Sequence, residues 1–460
     1  MQLAAALRLT QSPCLALVGA GGKTTALFTL ARQLPPPVFI TTTTHLAIAQ
    51  LGLADRHYPL ETSADLSALE PDSLEGVIVF TGLEAENSRV SGPGGESLEG
   101  LRSLTESRHI PLLIEADGSR QKPLKAPAAH EPALPGFVDT VVVLAGLSAL
   151  GKPINAETVH RPEIFTGLSG LKLGETVTGK AISNVLLHPQ GGMKAVPPRA
   201  RRVALLNQAD SAELQAAAQE IAEDLLSRYH AVVVAQLGPV FLAAGEAPDK
   251  EEFLAATNRA TVYAVHERVA GIVLAAGASV RFGRPKQLLD WQGRPFVWSV
   301  AQTALLAGLA PVVVVTGAHD DEVAQAVQDL PVEIVHNEDW NAGQSSSVRK
   351  GMEALPEETG AAVFLLSDQP QVPAFLIRSL VALHASTLSP VVAPLADGRR
   401  ANPVLFDRRT FPDLFTLTGD VGGRAIFNKH PITWLEWHDP GVLIDVDTEA
   451  DYQRLMELDA

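Results

Sequence analysis

GIVLAAGASVRFGRPK, residues 271–286, decides the reading of this chain. An apolar, β-branched run opens into a glycine-containing turn that ends on basic residues, the pattern of a buried strand feeding a ligand-binding loop. Ala275, Ala276, Gly277 and Gly283 keep bulky side chains away, so backbone N–H groups can approach a bound phosphate. Arg281, Arg284 and Lys286 place three positive charges within six residues. Such a set suits the neutralisation of a triphosphate and of the charge that builds as pyrophosphate departs. A solvated, flexible turn would read the same way, so the loop alone does not decide.

Two further segments add weight. VFLLSDQP puts Asp368 at the carboxyl end of an apolar run, where open parallel sheets bind ligands. Asp445 and Asp447, in LIDVDT, end another apolar run. Carboxylates so placed are hard oxygen donors suited to Mg2+, which keeps part of its water and bridges substrate phosphates. Any one of them also reads as an ordinary turn or helix-cap aspartate. Together with the basic loop they favour a Mg–nucleotide site.

The rest of the chain repeats the strand–helix rhythm. At 460 residues and ~150 residues per domain, two or three domains are expected. Strands are expected at 15–18, 38–41, 77–80, 112–114, 141–144, 203–206 and 232–235, then at 272–274, 312–315, 332–335, 363–366, 391–393 and 442–446. Ser211 to Tyr229 reads as a helix, with Leu214, Ala217, Ala218, Ile221 and Leu225 on one face behind the cap Ser211. Runs apolar on both faces predict mostly parallel sheets covered by helices. After a charged stretch (Glu246, Asp249, Lys250, Glu251, Glu252), a boundary is expected near residue 265, giving α/β domains at 1–265 and 266–460. Hydrophobic residues are 46% and charged residues 19% of the chain, enough to build cores, and the net charge is −16. An acidic balance argues against nucleic-acid and anionic-membrane partners. A single cysteine, Cys14, fits a reducing cytoplasm. No signal peptide or membrane span is expected, because Arg8 interrupts the apolar start and no ~20-residue apolar run follows.

LAAGASVRFGRPKQLL, NEDWNAGQSSSVRKG, LLSDQPQVP, RRANPVLF, TGDVGGRAIF and IDVDTEADY, in this order, resemble the molybdenum cofactor nucleotidyltransferases over residues 270–460. LAAG is the form used by the cytidylyltransferase branch, where the guanylyltransferase branch has LAGG. The resemblance implies a Rossmann-like nucleotidyltransferase domain that joins molybdopterin cofactor to CMP from CTP, with Mg2+, releasing pyrophosphate. It assigns nucleotide-binding roles to Leu274, Ala275, Ala276, Gly277, Ser279, Gly283, Asn337, Ser346 and Asn402. Catalytic roles fall to Arg281, Lys286 and Asp368, and metal binding to Asp368 and Asp445. Ser345, Ser347 and Pro403 match the same pattern. Ala401 replaces the family's usual glycine before Asn-Pro, and Gln344 a common methionine. The cofactor's terminal phosphate needs no general base to attack, so positioning and electrostatics would supply the rate.

The first half carries LALVGAGGKTTALF, residues 15–28. Strand, glycine turn, Lys23, Thr24, Thr25 and helix have the layout of a phosphate-binding loop, with Gly19, Gly21 and Gly22 in the turn. The standard motif has a glycine five residues before Gly22; here Leu17 stands there, so the loop is shorter. Lys23 would hold phosphate and the Thr24 hydroxyl Mg2+. Glu115 and Asp117, in PLLIEADGSR, offer another carboxylate position. Asn207 and Asp210, in LLNQAD, follow a strand like the Asn-Lys-x-Asp guanine reader with Gln208 for lysine, and are also ordinary turn residues. His130 with Glu131 and His160 with Arg161 are polar candidates, without the spacing of a zinc site. These segments, with ITTTTHL and VHRPEIF, resemble the selenium-dependent hydroxylase accessory family over about residues 10–240. That implies a nucleotide-dependent role, with ATP or GTP, in maturing a molybdenum hydroxylase, whose apo form would be the partner.

Other readings stay open: transfer from GTP, another phosphorylated acceptor, or a non-enzymatic carrier that hands finished cofactor to an apo-hydroxylase. Binding alone would not need Arg281, Lys286 and Asp368 together. Serine-hydrolase and zinc-protease readings fail, because neither G-x-S-x-G nor H-E-x-x-H occurs.

Overall fold

The computed structural model of the chain describes all residues except 68, 70–73, 86–87, 239–249, 258, 280–281 and 459–460. Glu246 and Asp249 of the charged stretch therefore lie outside the described residues. The chain divides into two compact units, Met1–His266 and Glu267–Ala460. Each is a mixed α/β unit built on its own sheet.

In the first unit the described residues form a nine-stranded sheet. Its order is Thr261–Glu267, Ala231–Gln236, Arg201–Asn207, Thr140–Gly146, Cys14–Gly19, Leu112–Glu115, Val38–Thr42, Val77–Thr81 and Arg56–Pro59. From Ala231–Gln236 to Arg56–Pro59 every neighbouring pair is parallel. The central strands are buried on both faces, which is why their sequences read as unbroken apolar runs rather than alternating ones. Helix Ala212–Leu225 starts where Ser211 accepts a hydrogen bond from Leu214 N, and buries Ala218, Ile221, Ala222 and Leu225.

The second unit holds an eight-stranded sheet among its described residues. Glu333–His336, Val312–Thr316, Val269–Leu274 and Ala361–Leu366 are parallel neighbours. Val404–Asp407 then runs antiparallel between Ala361–Leu366 and Val391–Ala396, and Ile432–Trp437 lies parallel beyond. The second sheet is thus mostly parallel, with Val404–Asp407 and the short strand Arg399–Arg400 running against the rest. One face packs against helices Phe296–Leu306 and Ala374–Thr387 and the other against Gln344–Glu353.

The strand expected at 442–446 is not one. Pro440–Leu443 is a 3-10 turn held by Asp439, whose carboxylate accepts from Gly441 N. The Gln371 amide donates to the carbonyls of Gly441 and Ile444, so a side chain meets backbone groups that a ladder would otherwise satisfy. Val446 is buried with Leu289, Trp291 and Phe296, which explains an apolar run without a strand. Among the described residues no helix is long and apolar enough to cross a membrane.

Replacing Ser211 by alanine removes the cap acceptor and should lower the unfolding free energy by ~1 kcal/mol. A urea midpoint unchanged from wild type would contradict this role for the cap.

Candidate functional sites

In the second unit the winding of the sheet reverses between Val269–Leu274 and Ala361–Leu366. The chain first runs outward through Val312–Thr316 and Glu333–His336, then returns to the other side of its first strand. Ligand crevices of open α/β sheets form at the carboxyl ends of such neighbours. A cavity of about 660 Å³ opens there, and its walls include Leu274, Ala276, Gly277, Ser279, Lys286 and Asp368.

The loop after Leu274 is closed by its own side chains. Ser279, at φ 52°, accepts a hydrogen bond from Lys286 N at 3.0 Å and donates to Gln287 Oε1 at 3.2 Å. The buried Gln287 amide donates to Gly277 O at 3.0 Å. A Cβ on Gly277 would meet no protein atom within 4 Å, so the loop presents open backbone there. Arg281 lies outside the described residues.

Lys286 sits between two carboxylates, with Nζ 2.9 Å from Asp368 Oδ2 and 2.8 Å from Asp447 Oδ1. Burial alone would lower its pKa, but the Asp368 and Asp447 charges outweigh it and hold the ammonium above its ordinary value. Asp445 is pushed the other way for a carboxylate, upward, first by burial and then by the neighbouring Asp368 charge. The Gln369 amide, 2.5 Å from Asp445 Oδ1, opposes that rise only in part. Asp368, a cavity wall, and Asp445 beside it repel each other, and a divalent cation between them would relieve the repulsion. Among the described residues no group of three His, Cys, Asp or Glu side chains forms a metal cluster. A cation on Asp368 and Asp445 would therefore share its remaining positions with water and substrate phosphate oxygens.

Other expected residues sit behind the cavity wall. Asn337 is buried, and its Nδ2 donates to Ser346 Oγ at 2.8 Å and Ser347 Oγ at 2.9 Å. Ser346 Oγ donates to Gly343 O. This trio ties down the first turn of helix Gln344–Glu353, from which Gly343, Gln344 and Ser347 line the cavity. Ala275, Gly283, Asn337, Ser346, Asn402 and Asp445 are not among the lining residues. Phe364 pairs with Val404, so Asn402 and Pro403 extend toward the carboxyl end of Ala361–Leu366. Trp340 and Asp420, which the sequence reading did not single out, do line the cavity. The tryptophan stands in a 3-10 turn before Gly343, and its place inside NEDWNAGQSSS was the available signal.

The first unit repeats the layout with different surroundings. Gly22, at φ 119°, caps the eleven-residue helix Lys23–Gln33. Gly21, at φ 86°, passes so close to the next strand that a Cβ would lie 2.4 Å from Gly146 N. Three loop amides are already taken: Gly19 N by Asp117 Oδ2, Ala20 N by Leu144 O and Gly21 N by Lys122 O. The amides open to a ligand are thereby narrowed to the first turn of the helix. Lys23 is buried, with Nζ 2.7 Å from Gly19 O, 3.2 Å from Asp117 Oδ1 and 4.0 Å from Glu115 Oε1. Thr24 Oγ1 accepts from Gln50 Nε2, and Thr25 is buried in the helix interior. Asn207 braces the loop: Nδ2 donates to Gly21 O and Oδ1 accepts from Leu237 N. Asp210 is exposed beside Ser211, and Gln208 Oε1 accepts from Ser148 Oγ. Asp117 also holds Lys125, which bonds Glu131, which in turn takes both guanidinium nitrogens of Arg161. Glu131 and Arg161 thus belong to a chain of alternating charge that is buried at Lys23, Asp117 and Lys125 and reaches the half-buried Arg161.

Glu115 ends the strand beside the glycine loop, and burial pushes its carboxyl up to about 7 although Lys23 and Thr24 oppose the rise. The folded state therefore binds this proton more tightly than the unfolded chain. Its stabilisation is full below the ordinary carboxylate range and is lost as pH rises through about 7. Glu115→Gln should flatten this part of the stability–pH profile, with its gain in melting temperature appearing at about pH 8 and not at about pH 5. An equal shift at both pH values would contradict the assignment.

Comparison with known proteins agrees with this division. Residues 15–163 match the YqeC protein family and residues 271–433 the MobA-like NTP transferase domain family. "Uncharacterized protein YqeC" of Escherichia coli (strain K12) is 36% identical over 231 residues, 49% of this chain and 87% of that protein. "Nicotine blue oxidoreductase" of Paenarthrobacter nicotinovorans is 34% identical over 197 residues, 41% of this chain and 96% of that protein. "Probable molybdenum cofactor guanylyltransferase" of Bacillus cereus (strain AH187) is 30% identical over 154 residues, 33% of this chain and 74% of that protein. The chain belongs to both families in tandem, with a YqeC domain in its first unit and a MobA-like NTP transferase domain in its second.

Proposed function

We propose that the second unit transfers a cytidylyl group from CTP to the terminal phosphate of molybdopterin cofactor, forming the cytosine dinucleotide and releasing pyrophosphate. The observation that carries this reading is Lys286, held between Asp368 and Asp447 at a cavity on the switch point of an α/β sheet. An acceptor phosphate oxygen bonds to the α-phosphorus of CTP, the bond from that phosphorus to the bridging oxygen of the β-phosphate breaks, and pyrophosphate carries away the electron pair. Phosphate is already anionic at neutral pH, so no proton has to be removed. Lys286, and Arg281 from the same loop, neutralise the triphosphate and the departing charge. Bound Mg2+ on Asp368 and Asp445 would add charge neutralisation at the phosphate oxygens. The loop clamped by Ser279 and Gln287 positions the nucleotide through Leu274, Ala275, Ala276, Gly277 and Gly283. Asn337, Ser346 and Asn402 support the site from behind.

Cytidine is proposed from the LAAG sequence. The relative named as a guanylyltransferase keeps GTP as the competing donor. The relative named as an oxidoreductase favours a second reading, in which the same cavity takes a redox dinucleotide. Molybdopterin offered with each of CTP, GTP and NADPH separates them: pyrophosphate and the cytosine dinucleotide form only with CTP on the proposed reading. Asp368→Asn should lower that turnover by roughly 10³-fold or more; near-normal rates at saturating Mg2+ would remove Asp368 from the site.

The first unit is proposed as a nucleotide-dependent accessory module, with ATP or GTP, acting on a molybdenum hydroxylase in the cytoplasm. Gly19, Gly21, Gly22, Lys23, Thr24, Asp117 and Asn207 gather at one loop in support of it; Thr25 is buried in the helix and Asp210 is exposed. Lys23→Ala should abolish nucleotide binding by this unit and leave pyrophosphate release by the second intact. Loss of both together, or of neither, would contradict the division of labour.

A further inference from the structure

The second unit's described lysines and arginines are mostly spent on partners. Arg268, Arg284, Lys286, Arg294, Lys350, Arg409 and Lys429 pair with carboxylates. Arg349, Arg378 and Arg408 donate to backbone carbonyls, and Arg454 faces Asp451. The side chains of Arg399, Arg400 and Arg424 are exposed and have no carboxylate or carbonyl partner among the described residues. In a chain of net charge −16, unpaired cations gathered in one region call for an anion.

Strand register sorts the three. Asp397 and Gly398, both at positive φ, make the two-residue turn that pairs Leu395 with Arg400 and Ala396 with Arg399. Successive strand side chains alternate between faces. Ala396 and Ala401 belong to the core under helices Phe296–Leu306 and Ala374–Thr387, so Arg399 lies on that side. Arg400 lies on the other, where its guanidinium stands 5.1 Å over the Phe427 ring. Phe427 packs into the core shared with helix Gln344–Glu353, and its N–H donates to Arg424 O.

Neither Arg400 nor Arg424 lines the cavity itself, but both segments adjoin residues that do. Gly422, two residues before Arg424, is so close to Gln344 that a Cβ there would meet Gln344 Oε1 at 2.7 Å, and Gln344 is a cavity wall. Ala401 to Pro403, directly after Arg400, reach the strand end that continues into the lining residues Leu366, Ser367 and Asp368. Asp420 Oδ1 accepts from Gln344 N and is thereby turned toward the helix end. Asp397 lies in the hairpin turn and Glu436 flanks Leu395 on the side opposite Arg400; among the described residues neither is in an ion pair with an arginine of the three.

We propose that Arg400 and Arg424 are the acceptor-anchoring residues, holding a phosphomonoester group of the molecule that receives the nucleotide. This rests on the transferase reading of the second unit. Arg399, on the same hairpin and of the same charge but on the opposite face, takes no part.

The test uses the full chain with Arg400→Gln and Arg424→Gln, singly and together, and Arg399→Gln as the control. Pyrophosphate release gives KM for molybdopterin and for CTP separately, and equilibrium dialysis gives molybdopterin binding without nucleotide. The double variant should raise KM for molybdopterin roughly 10- to 100-fold, the scale of charged hydrogen bonds, and weaken its binding in dialysis to a similar extent, with KM for CTP unchanged. Arg400→Lys should recover part of the loss, and Arg399→Gln should behave as wild type. An unchanged molybdopterin KM in the double variant, or an equal shift in Arg399→Gln, overturns the proposal. Arginine-dependent molybdopterin binding by a wild-type chain that releases no pyrophosphate would sink the transferase reading and leave the anchoring site standing. Wild-type binding by the double variant removes the site whatever the turnover.

Discussion

One ammonium group organises the second unit: Lys286 reaches from the loop after the first strand to Asp368 after the neighbouring strand and to Asp447 beyond. A parallel sheet delivers every strand's carboxyl end to the same edge, so the loops there must share one space, and the polar groups they carry must be mutually satisfied. Lys286 satisfies two carboxylates that would otherwise repel each other. Its side chain is 17% exposed, so the pair is wet enough to open when phosphates compete for the lysine. Asp445 shows what remains unbalanced, since its carboxyl is raised by burial and by Asp368. The cavity wall is thus held together by charges that a nucleotide and a cation could replace.

The first unit applies the same rule under drier conditions. Lys23, on the loop after its first strand, meets Asp117 beyond the neighbouring parallel strand, as Lys286 meets Asp368. The difference is burial, because the Lys23 side chain is 2% exposed. Its partner Asp117 is shared with Lys125 and so with Glu131 and Arg161. Buried charges of this kind are tolerated only when every member is paired, and removing one leaves the rest uncompensated. Motifs far apart in sequence, GGKTT, EADGS, HEP and VHRPE, are therefore one electrostatic unit. A phosphate arriving at Lys23 would have to exchange with Asp117, so the proposed nucleotide binding would require a rearrangement of that chain.

Much of this was legible in the residues, for identifiable reasons. Strands buried on both faces announce themselves as β-branched runs, and the central ones were expected within a residue or two of where they lie. The run at 442–446 misled because its burial comes from packing onto Trp291 and Phe296 while Gln371 satisfies its backbone. Val404–Asp407 escaped because an antiparallel insertion needs the hairpin at Asp397 and Gly398 to be recognised first. Lys286 and Asp368 could be singled out because strand ends and basic loops have local signatures. Asn337 and Ser346 carried a family signature without an address, and their hydrogen bonds make them supports of the helix end. Trp340, Asp420 and the face of Arg400 depend on register and on turns from distant segments, which no local pattern encodes.

On the proposed reading, the cavity beside Lys286 is a nucleotide site completed by a divalent cation on Asp368 and Asp445. Calorimetric titration of the full chain with CTP, in EDTA and again in Mg2+, tests it most directly. Binding should be weak without the cation and markedly tighter with it, the gain disappearing in an Asp445→Asn variant. CTP affinity that is the same in both buffers, or no CTP binding in either, would contradict it.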